Sequence, residues 1–383
     1  MRVPMSVEQS LPHSLPPAVN PSAGFSRRDS LKWLGMGGGA VAAGALLAAC
    51  KGASDSSARG GVGDFPATPA WKFVFINHVT TNSFFIPTRN GLTDAATMLG
   101  LPTPQWTGDE NGNVANMASD FDTAISGGAD GIAIALTDST AFIEPTKAAL
   151  AKGIPVIAYN ATAPANFALT YVGQDLYQSG FLMGQRIAQD VRSGLILVGI
   201  SQPGGNNVQP RLDGITAALQ QAAPGVTVQS VNTGADQAGE LNNITAAYSG
   251  HSDAKGLYAV DAGTTASIAQ LITSRGLIGK IHAGGFDTLS DTVNGVKSGA
   301  LDFTIDQSAY LQGFLPVLYL YLYRISGTLV KPPATDTGLT FVTKDNIAPY
   351  ESNPPSRFEG GSNGGIIAMP TSIPLPPPST VTL

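Results

Sequence analysis

Short apolar runs alternate with amphipathic segments along this chain from Trp71 onward, at a spacing of roughly 25 to 40 residues. The first run, residues 73–76, reads Phe-Val-Phe-Ile, which is typical of a strand buried on both faces. Residues 92–99 then carry apolar side chains at positions i, i+3, i+4 and i+7, the stripe of a helix that lies on a sheet. Strands that alternate with helices in this way predict an α/β fold with parallel sheets.

The alternating pattern occurs twice. The first series ends near Asn160, and a second begins with a helical face at Tyr177 and the strongly apolar run 195–200. The 383 residues leave room for two domains of about 100 to 200 residues each. We therefore expect two Rossmann-like lobes.

Polar and aromatic side chains directly follow the predicted strands. Ligands of open α/β sheets bind beyond the carboxyl ends of the strands, so these side chains mark a predicted binding mouth. They are His78, Asn82, Phe84, Phe85, Asn160, Asp261, Asp287 and Gln307. Two alternatives to ligand binding stay open. In one the phenylalanines belong to the core, and in the other the two aspartates cap the helices that follow them.

Composition and motifs argue against several other functions. The net charge is −6 and only 13% of the residues are charged, whereas a nucleic-acid surface requires clustered Lys and Arg. The sequence lacks a nucleophile elbow, a Walker loop and a Cys-His pair, and its 4 histidines lack metal-ligand spacing. We therefore predict a protein that is not an enzyme and holds neither cofactor nor metal.

The N-terminal segment has the features of an export signal. Arg27 and Arg28 precede a Gly- and Ala-rich apolar run that ends in Leu-Ala-Ala before Cys50, the single cysteine. The arginine pair resembles a twin-arginine signal, and the last residues resemble a lipoprotein box. This predicts a signal peptide over 1–49, lipidation of Cys50, a flexible tether over 50–70 and a lipid-anchored, extracytoplasmic protein. The alternative is a buried free cysteine behind a membrane-spanning helix, which the short, glycine-rich run disfavours.

Seven short motifs appear in a recognisable order over residues 71–344: TTNSFF, GIAIAL, GIPVIAYN, VGQD, RLDGI, GGFD and FTIDQ. In this the chain resembles the sugar-binding branch of the type I periplasmic binding proteins, the ribose-binding-protein-like receptors of ABC importers. The resemblance implies two α/β lobes joined by a three-strand hinge. The expected first lobe is 71–173 plus 308–335, the second is 174–307 plus 336–345, and a Pro- and Gly-rich tail covers 346–383.

The resemblance also implies roles for individual residues. Asn82, Phe84 and Phe85 match the first ligand-contacting loop, and His78 falls on a polar pocket position beside it. Asn160, Asp261, Asp287 and Gln307 match further ligand contacts. Gln209 takes the position of a pocket arginine, and Arg211 is expected on the helix instead. Asn160-Ala161 replaces an Asp-Arg pair, and Ala235 replaces a frequent aromatic residue, so we expect a less cationic pocket than that of the ribose receptors.

The resemblance implies a monomer that captures a sugar or polyol-like small molecule and delivers it to an ABC transporter permease. Two other functions stay open. The protein could present its ligand to a membrane sensor, or it could be an exported oxidoreductase, since twin-arginine export carries cofactor-loaded enzymes.

Overall fold

Two six-stranded sheets organise the computed structural model, which describes residues 68–328, 333–351 and 359. The predicted signal peptide, the lipidation site Cys50 and nearly all of the predicted tether lie outside the described residues. Most of the predicted C-terminal tail also lies outside them.

The first sheet is parallel throughout, with the strand order β11-β5-β4-β3-β1-β2. Its strands are β1 (Phe73–Asn77), β2 (Gln105–Gly108), β3 (Gly131–Ile134), β4 (Val156–Tyr159), β5 (Tyr171–Gly173) and β11 (Ala334–Asp336). Its helices are α1 (Ile86–Leu99), α2 (Val114–Ser126), α3 (Ile143–Ala151) and α9 (Ala309–Ser326). Every residue of β1, β3 and β4 is buried, because helices cover both faces of the sheet.

The second sheet has the order β12-β10-β9-β8-β6-β7, and all its pairs are parallel except that of β12 with β10. Its strands are β6 (Ser193–Ile200), β7 (Gly225–Asn232), β8 (Gly256–Ala259), β9 (His282–Phe286), β10 (Phe303–Asp306) and β12 (Thr340–Val342). Its helices are α4 (Leu176–Asp190), α5 (Gln209–Ala222), α6 (Gln237–Gly250), α7 (Ala262–Ser274) and α8 (Ser290–Ser298). The α/β fold with two lobes of mainly parallel sheet is confirmed.

The chain passes between the lobes three times: after β5, after β10 and between β11 and β12. Hydrogen bonds join these crossings to one another. Gln174 Nε2 donates to the carbonyl of Gly338 (3.2 Å), and Thr337 Oγ1 donates to that of Gln307 (2.8 Å). The crossings therefore form one connected hinge.

Close helix packing at glycine positions fixes the walls of the cleft. A Cβ on Gly180 of α4 would overlap the backbone of Arg211 on α5, and one on Gly214 of α5 would overlap the carbonyl of Tyr177. These two helices can approach this closely only because both positions lack side chains. The start of α5 is thereby held at the edge of the cleft. Within the part of the chain that the structure describes, none of the helices has the length and apolar character needed to cross a bilayer.

Candidate ligand-binding site

A cleft between the lobes, at the carboxyl ends of the strands of both sheets, contains a cavity of about 60 Å³. All the predicted side chains except Gln209 line it, namely His78, Asn82, Phe84, Phe85, Asn160, Asp261, Asp287 and Gln307. The structure thus brings together residues that are up to 229 positions apart in sequence. Their roles in binding stay a prediction.

The first lobe contributes an aromatic wall. Asn82 caps a short 3₁₀ helix, Ser83–Phe85, by accepting a hydrogen bond from the backbone N–H of Phe84 (2.9 Å). The rings of Phe84 and Phe85 meet edge to face with centroids 4.7 Å apart, and His78 lies edge-on to Phe85 at 5.6 Å. Phe85 is only 1% exposed and belongs to the core, whereas Phe84 is half-buried. Phe84 is therefore the ring with surface left for a ligand.

Asn160 and Asp287 each occupy the left-handed region of backbone space, with φ of 61° and 73° respectively. Each follows the last residue of a strand, and Asn and Asp tolerate this region better than most residues. Asn160 Nδ2 donates to Gln312 Oε1 (3.0 Å), and Gln307 Nε2 donates to Asp287 Oδ1 (2.6 Å). Such conformations cluster at binding sites because the surroundings must hold them in place.

The two aspartates differ in their relation to the helices that follow. Asp287 does not cap α8, whose N-cap is Leu289, so the capping interpretation of Asp287 is wrong. Asp261 caps α7 by accepting from the N–H of Thr264 (2.9 Å), and its other oxygen accepts from the N–H of Ser201 (3.0 Å).

Arg211, and not Gln209, lies in the cleft. Gln209 begins α5, and its amide is used locally: Oε1 accepts from the N–H of Gly204 (3.0 Å), and Nε2 donates to Asp213 (2.8 Å). The guanidinium of Arg211 is 3% exposed and lies 4.0 Å from the ring centroid of Phe286. It donates to the carbonyl of Val260 (3.0 Å) and to Oε1 of the hinge residue Gln174 (3.1 Å). Arg211 does sit on the helix, as predicted, but its side chain reaches the pocket.

Burial shifts the pKa values of the cleft residues. It lowers the pKa of His78 to about 4, so the ring is neutral at pH 7. Burial raises the pKa of Asp287 to about 7, although the positive charge of Arg211 opposes the change. The pKa values of Asp261 and of Glu240, which sequence reasoning missed, are also raised by burial, and that of Glu240 further by the nearby charge of Asp261.

Buried hydrogen-bonding atoms without a protein partner are concentrated in this cleft. Among the described residues they include His78 Nδ1, Asn207 Oδ1, Arg211 Nε and Glu240 Oε2, all from lining residues, and beyond the cleft Ser267 Oγ and Thr292 Oγ1. Buried polar atoms in folded proteins are normally paired, because leaving one unpaired costs about 1 to 3 kcal/mol. The set offers both donors and acceptors, which suits hydroxyl groups, since each hydroxyl can donate and accept.

The loop before α5 joins the two lobes across the mouth of the cleft. The backbone N–H of Asn206 donates to the carbonyl of Thr137 (2.9 Å), its Nδ2 donates to that of Leu136 (3.1 Å), and its Oδ1 accepts from Ser139 Oγ (3.1 Å). Asn207 Nδ2 lies 3.2 Å from His78 Nε2. The two lobes are therefore in hydrogen-bond contact at the mouth of the cleft.

A second cluster of titratable groups lies at the other end of the second sheet, near the amino ends of β9 and β10. The cluster consists of Asp190, His282 and Asp302. The spacing of the histidines in the sequence did not predict it. Asp190 pairs with Arg186, and Asp302 accepts from the N–H of Ala283 (3.1 Å) and lies 3.0 Å from His282 Nδ1. These internal partners account for the cluster.

Comparison with known proteins places this fold and cleft in a wider group. The periplasmic binding protein domain matches residues 73–326. The xylose/arabinose-binding protein XylF of Sulfolobus acidocaldarius is 43% identical over 370 residues, covering 88% of this chain and 90% of XylF. The ribose import binding protein RbsB of Bacillus subtilis is 26% identical over 235 residues, covering 61% of this chain and 75% of RbsB.

Solved structures show the same architecture. An ABC transporter solute-binding protein from Burkholderia graminis, in complex with D-arabinose, superimposes with a TM-score of 0.67 at 26% identity, covering 73% of this chain and 98% of its own. GanP, a glucose-galactose binding protein from Geobacillus stearothermophilus, has a TM-score of 0.67 at 22% identity, covering 73% and 99%, and this likeness concerns the fold alone. The chain belongs to the periplasmic binding protein family.

Proposed function

We propose that this protein captures a neutral sugar or polyol between its two lobes and delivers it to an ABC importer. The observation that carries the proposal is the group of unpaired polar atoms on His78, Asn207, Arg211 and Glu240, four residues that line one cavity. A molecule with several hydroxyls would satisfy both the donors and the acceptors of this group. The exposed part of Phe84 would pack against the apolar C–H face of such a molecule.

Charge supports a neutral ligand over an anionic one. Arg211 is the cationic side chain that lines the cavity, and its guanidinium already bonds to Val260 and Gln174. Asp261 and Asp287 line the same cavity. A carboxylate or phosphate on the ligand would lie close to these acids, and like charges at short range are costly in a buried site. The XylF relationship makes pentoses the first candidates.

Family membership implies an extracytoplasmic location. We further propose that the twin-arginine segment directs export and that Cys50 carries the lipid that anchors the protein. In this proposal the protein acts as a monomer, needs no cofactor and has no catalytic role. Its partner is an ABC transporter permease.

The test is a thermal-shift screen of the full chain against xylose, arabinose, ribose, glucose, xylitol and glucuronate. A ligand at 100 times its dissociation constant adds about 2.7 kcal/mol to the free energy of unfolding. We expect one of the neutral compounds to stabilise the protein, and Asp287→Ala to abolish this shift. Asp253→Ala, at an exposed position outside the cleft, is the matched control. Stabilisation by glucuronate alone, or by nothing in the panel, would refute the proposal.

A further inference from the structure

Glu240 is a buried acid that the proposed function does not yet explain. It lies near the start of α6, four residues after the N-cap Asp236, where acidic residues usually face solvent and complement the helix dipole. Instead it is 2% exposed and lines the cleft. Its Oε2 has no hydrogen-bond partner among the described residues.

The surroundings of Glu240 leave room for its carboxyl group. A Cβ on Gly263, in the first turn of α7, would overlap Glu240 Oε2, so a side chain at this position would displace the carboxyl group from its present place. Ala235 lines the same wall with a small side chain. The carboxyl group is thus held in a fitted site between α6 and α7.

The neighbouring groups determine which acid is ionised. Asp261 accepts backbone N–H bonds from Ser201 and Thr264, and such bonds stabilise a carboxylate. Glu240 lies close enough to Asp261 for the charge of Asp261 to raise the pKa of Glu240, so a proton between the two carboxyl groups is favoured. Burial and the charges of Asp261 and Asp236 all favour the protonated form of Glu240. The remaining titratable groups of the cleft are His78 on the first lobe and Arg211 and Asp287 on the second.

We propose that Glu240 is a ligand-binding residue held as a neutral acid, which donates its proton to the Asp261 carboxylate and accepts a hydroxyl hydrogen of the ligand at Oε2. This inference rests on the proposed function and adds a specificity element to it. A neutral acid at this point recognises a hydroxyl donor without adding a charge to the cavity. Ionisation of Glu240 at alkaline pH places a second carboxylate beside that of Asp261. The repulsion between the two charges in the closed, ligand-filled cleft then weakens ligand binding.

The experiment measures the dissociation constant of the full chain for D-xylose by calorimetry, from about pH 6 to about pH 10, a range that spans the raised pKa of a buried carboxyl. Glu240→Ala is expected to weaken binding at least about tenfold at pH 6, because the ligand hydroxyl and Asp261 both lose a partner. In Glu240→Gln the amide donates to Asp261 and still presents an oxygen to the ligand. We expect this variant to restore most of the affinity.

The pH profile separates ligand binding from a purely structural role. We expect the affinity of the wild type to fall at the alkaline end of the range and that of Glu240→Gln to stay level there. Asp287, whose pKa is raised to about 7, titrates in both proteins, so their difference reports Glu240. Glu144→Gln, on the exposed part of α3, is the matched control and should follow the wild type.

Equal alkaline losses of affinity in wild type and Glu240→Gln would overturn the inference. So would wild-type affinity in a folded Glu240→Ala variant. If no compound of the neutral panel binds the wild type at any pH, the proposed function itself fails, and this inference fails with it. That result is distinct from a wild type that binds xylose without the help of Glu240.

Discussion

Asn206 provides the side chain whose removal most directly tests closure of the lobes. In Asn206→Ala the hydrogen bonds with the Leu136 carbonyl and with Ser139 Oγ are lost, while the backbone bond to Thr137 remains. A typical protein hydrogen bond stabilises by about 0.5 to 1.5 kcal/mol, and the Ser139 bond is exposed, so it falls at the low end. We expect the closed state to lose about 1 to 2 kcal/mol, which corresponds to a factor of about 5 to 30.

This loss should appear in ligand binding, because the free energy of closure is part of the binding free energy. Stopped-flow and calorimetric measurements with a ligand from the neutral panel should show weaker binding, mainly through faster dissociation. The thermal stability of the ligand-free protein should change little. Asn294→Ala, at an exposed position on α8, is the control. Unchanged affinity and dissociation rate in Asn206→Ala would show that these bonds do not hold the lobes together.

Two further predictions concern the first-lobe wall. Phe85→Ala should lower the free energy of unfolding by about 3 to 5 kcal/mol, because it leaves a cavity in the core. Phe84→Ala should mainly weaken ligand binding. Denaturant titrations with and without ligand distinguish the two effects. Burial lowers the pKa of His78 to about 4 from its ordinary 6.5. Between these two pH values the unfolded chain binds a proton at His78 and the folded chain does not. The free energy of unfolding should therefore fall by up to about 3 kcal/mol as the pH drops from 6.5 to 4. His78→Gln should lose this part of the acid sensitivity in pH-dependent urea melts, and an unchanged slope would contradict the assigned cause.

The central strands could be predicted from sequence and the edge strands could not. β3 and β4 are continuous apolar runs because both faces of the sheet are covered, and this burial is visible in the residues themselves. β2 lies at an edge of the first sheet and is not buried at any residue, so its four residues do not form a continuous apolar run. β11 and β12 have 3 residues each and pair through the backbone with distant segments, so no local pattern indicates them.

The positions of Asp261 and Asp287 in the cleft could be predicted, because each directly follows a strand and parallel strands bring their carboxyl ends to one side of the sheet. This rule could not decide between Gln209 and Arg211. A shift of two residues turns a side chain to nearly the opposite side of a helix, and the close approach at Gly180 that sets the position of α5 is a tertiary feature. Glu240 was missed because an acid in the first turns of a helix normally faces solvent.

The path of the chain through the two sheets also has a consequence for the order in which the lobes form during synthesis. The strands β6 to β10 follow one another without interruption, whereas the first lobe needs α9, whose Val317, Leu320 and Tyr321 pack in one core cluster with Phe75 and Tyr159. During translation the strands β1 to β5 are therefore synthesised early, whereas α9, which packs on them, is synthesised only after β6 to β10. A nascent chain that ends before residue 309 should therefore protect the amides of β8 and β9 from hydrogen exchange while those of β1 and β4 still exchange rapidly.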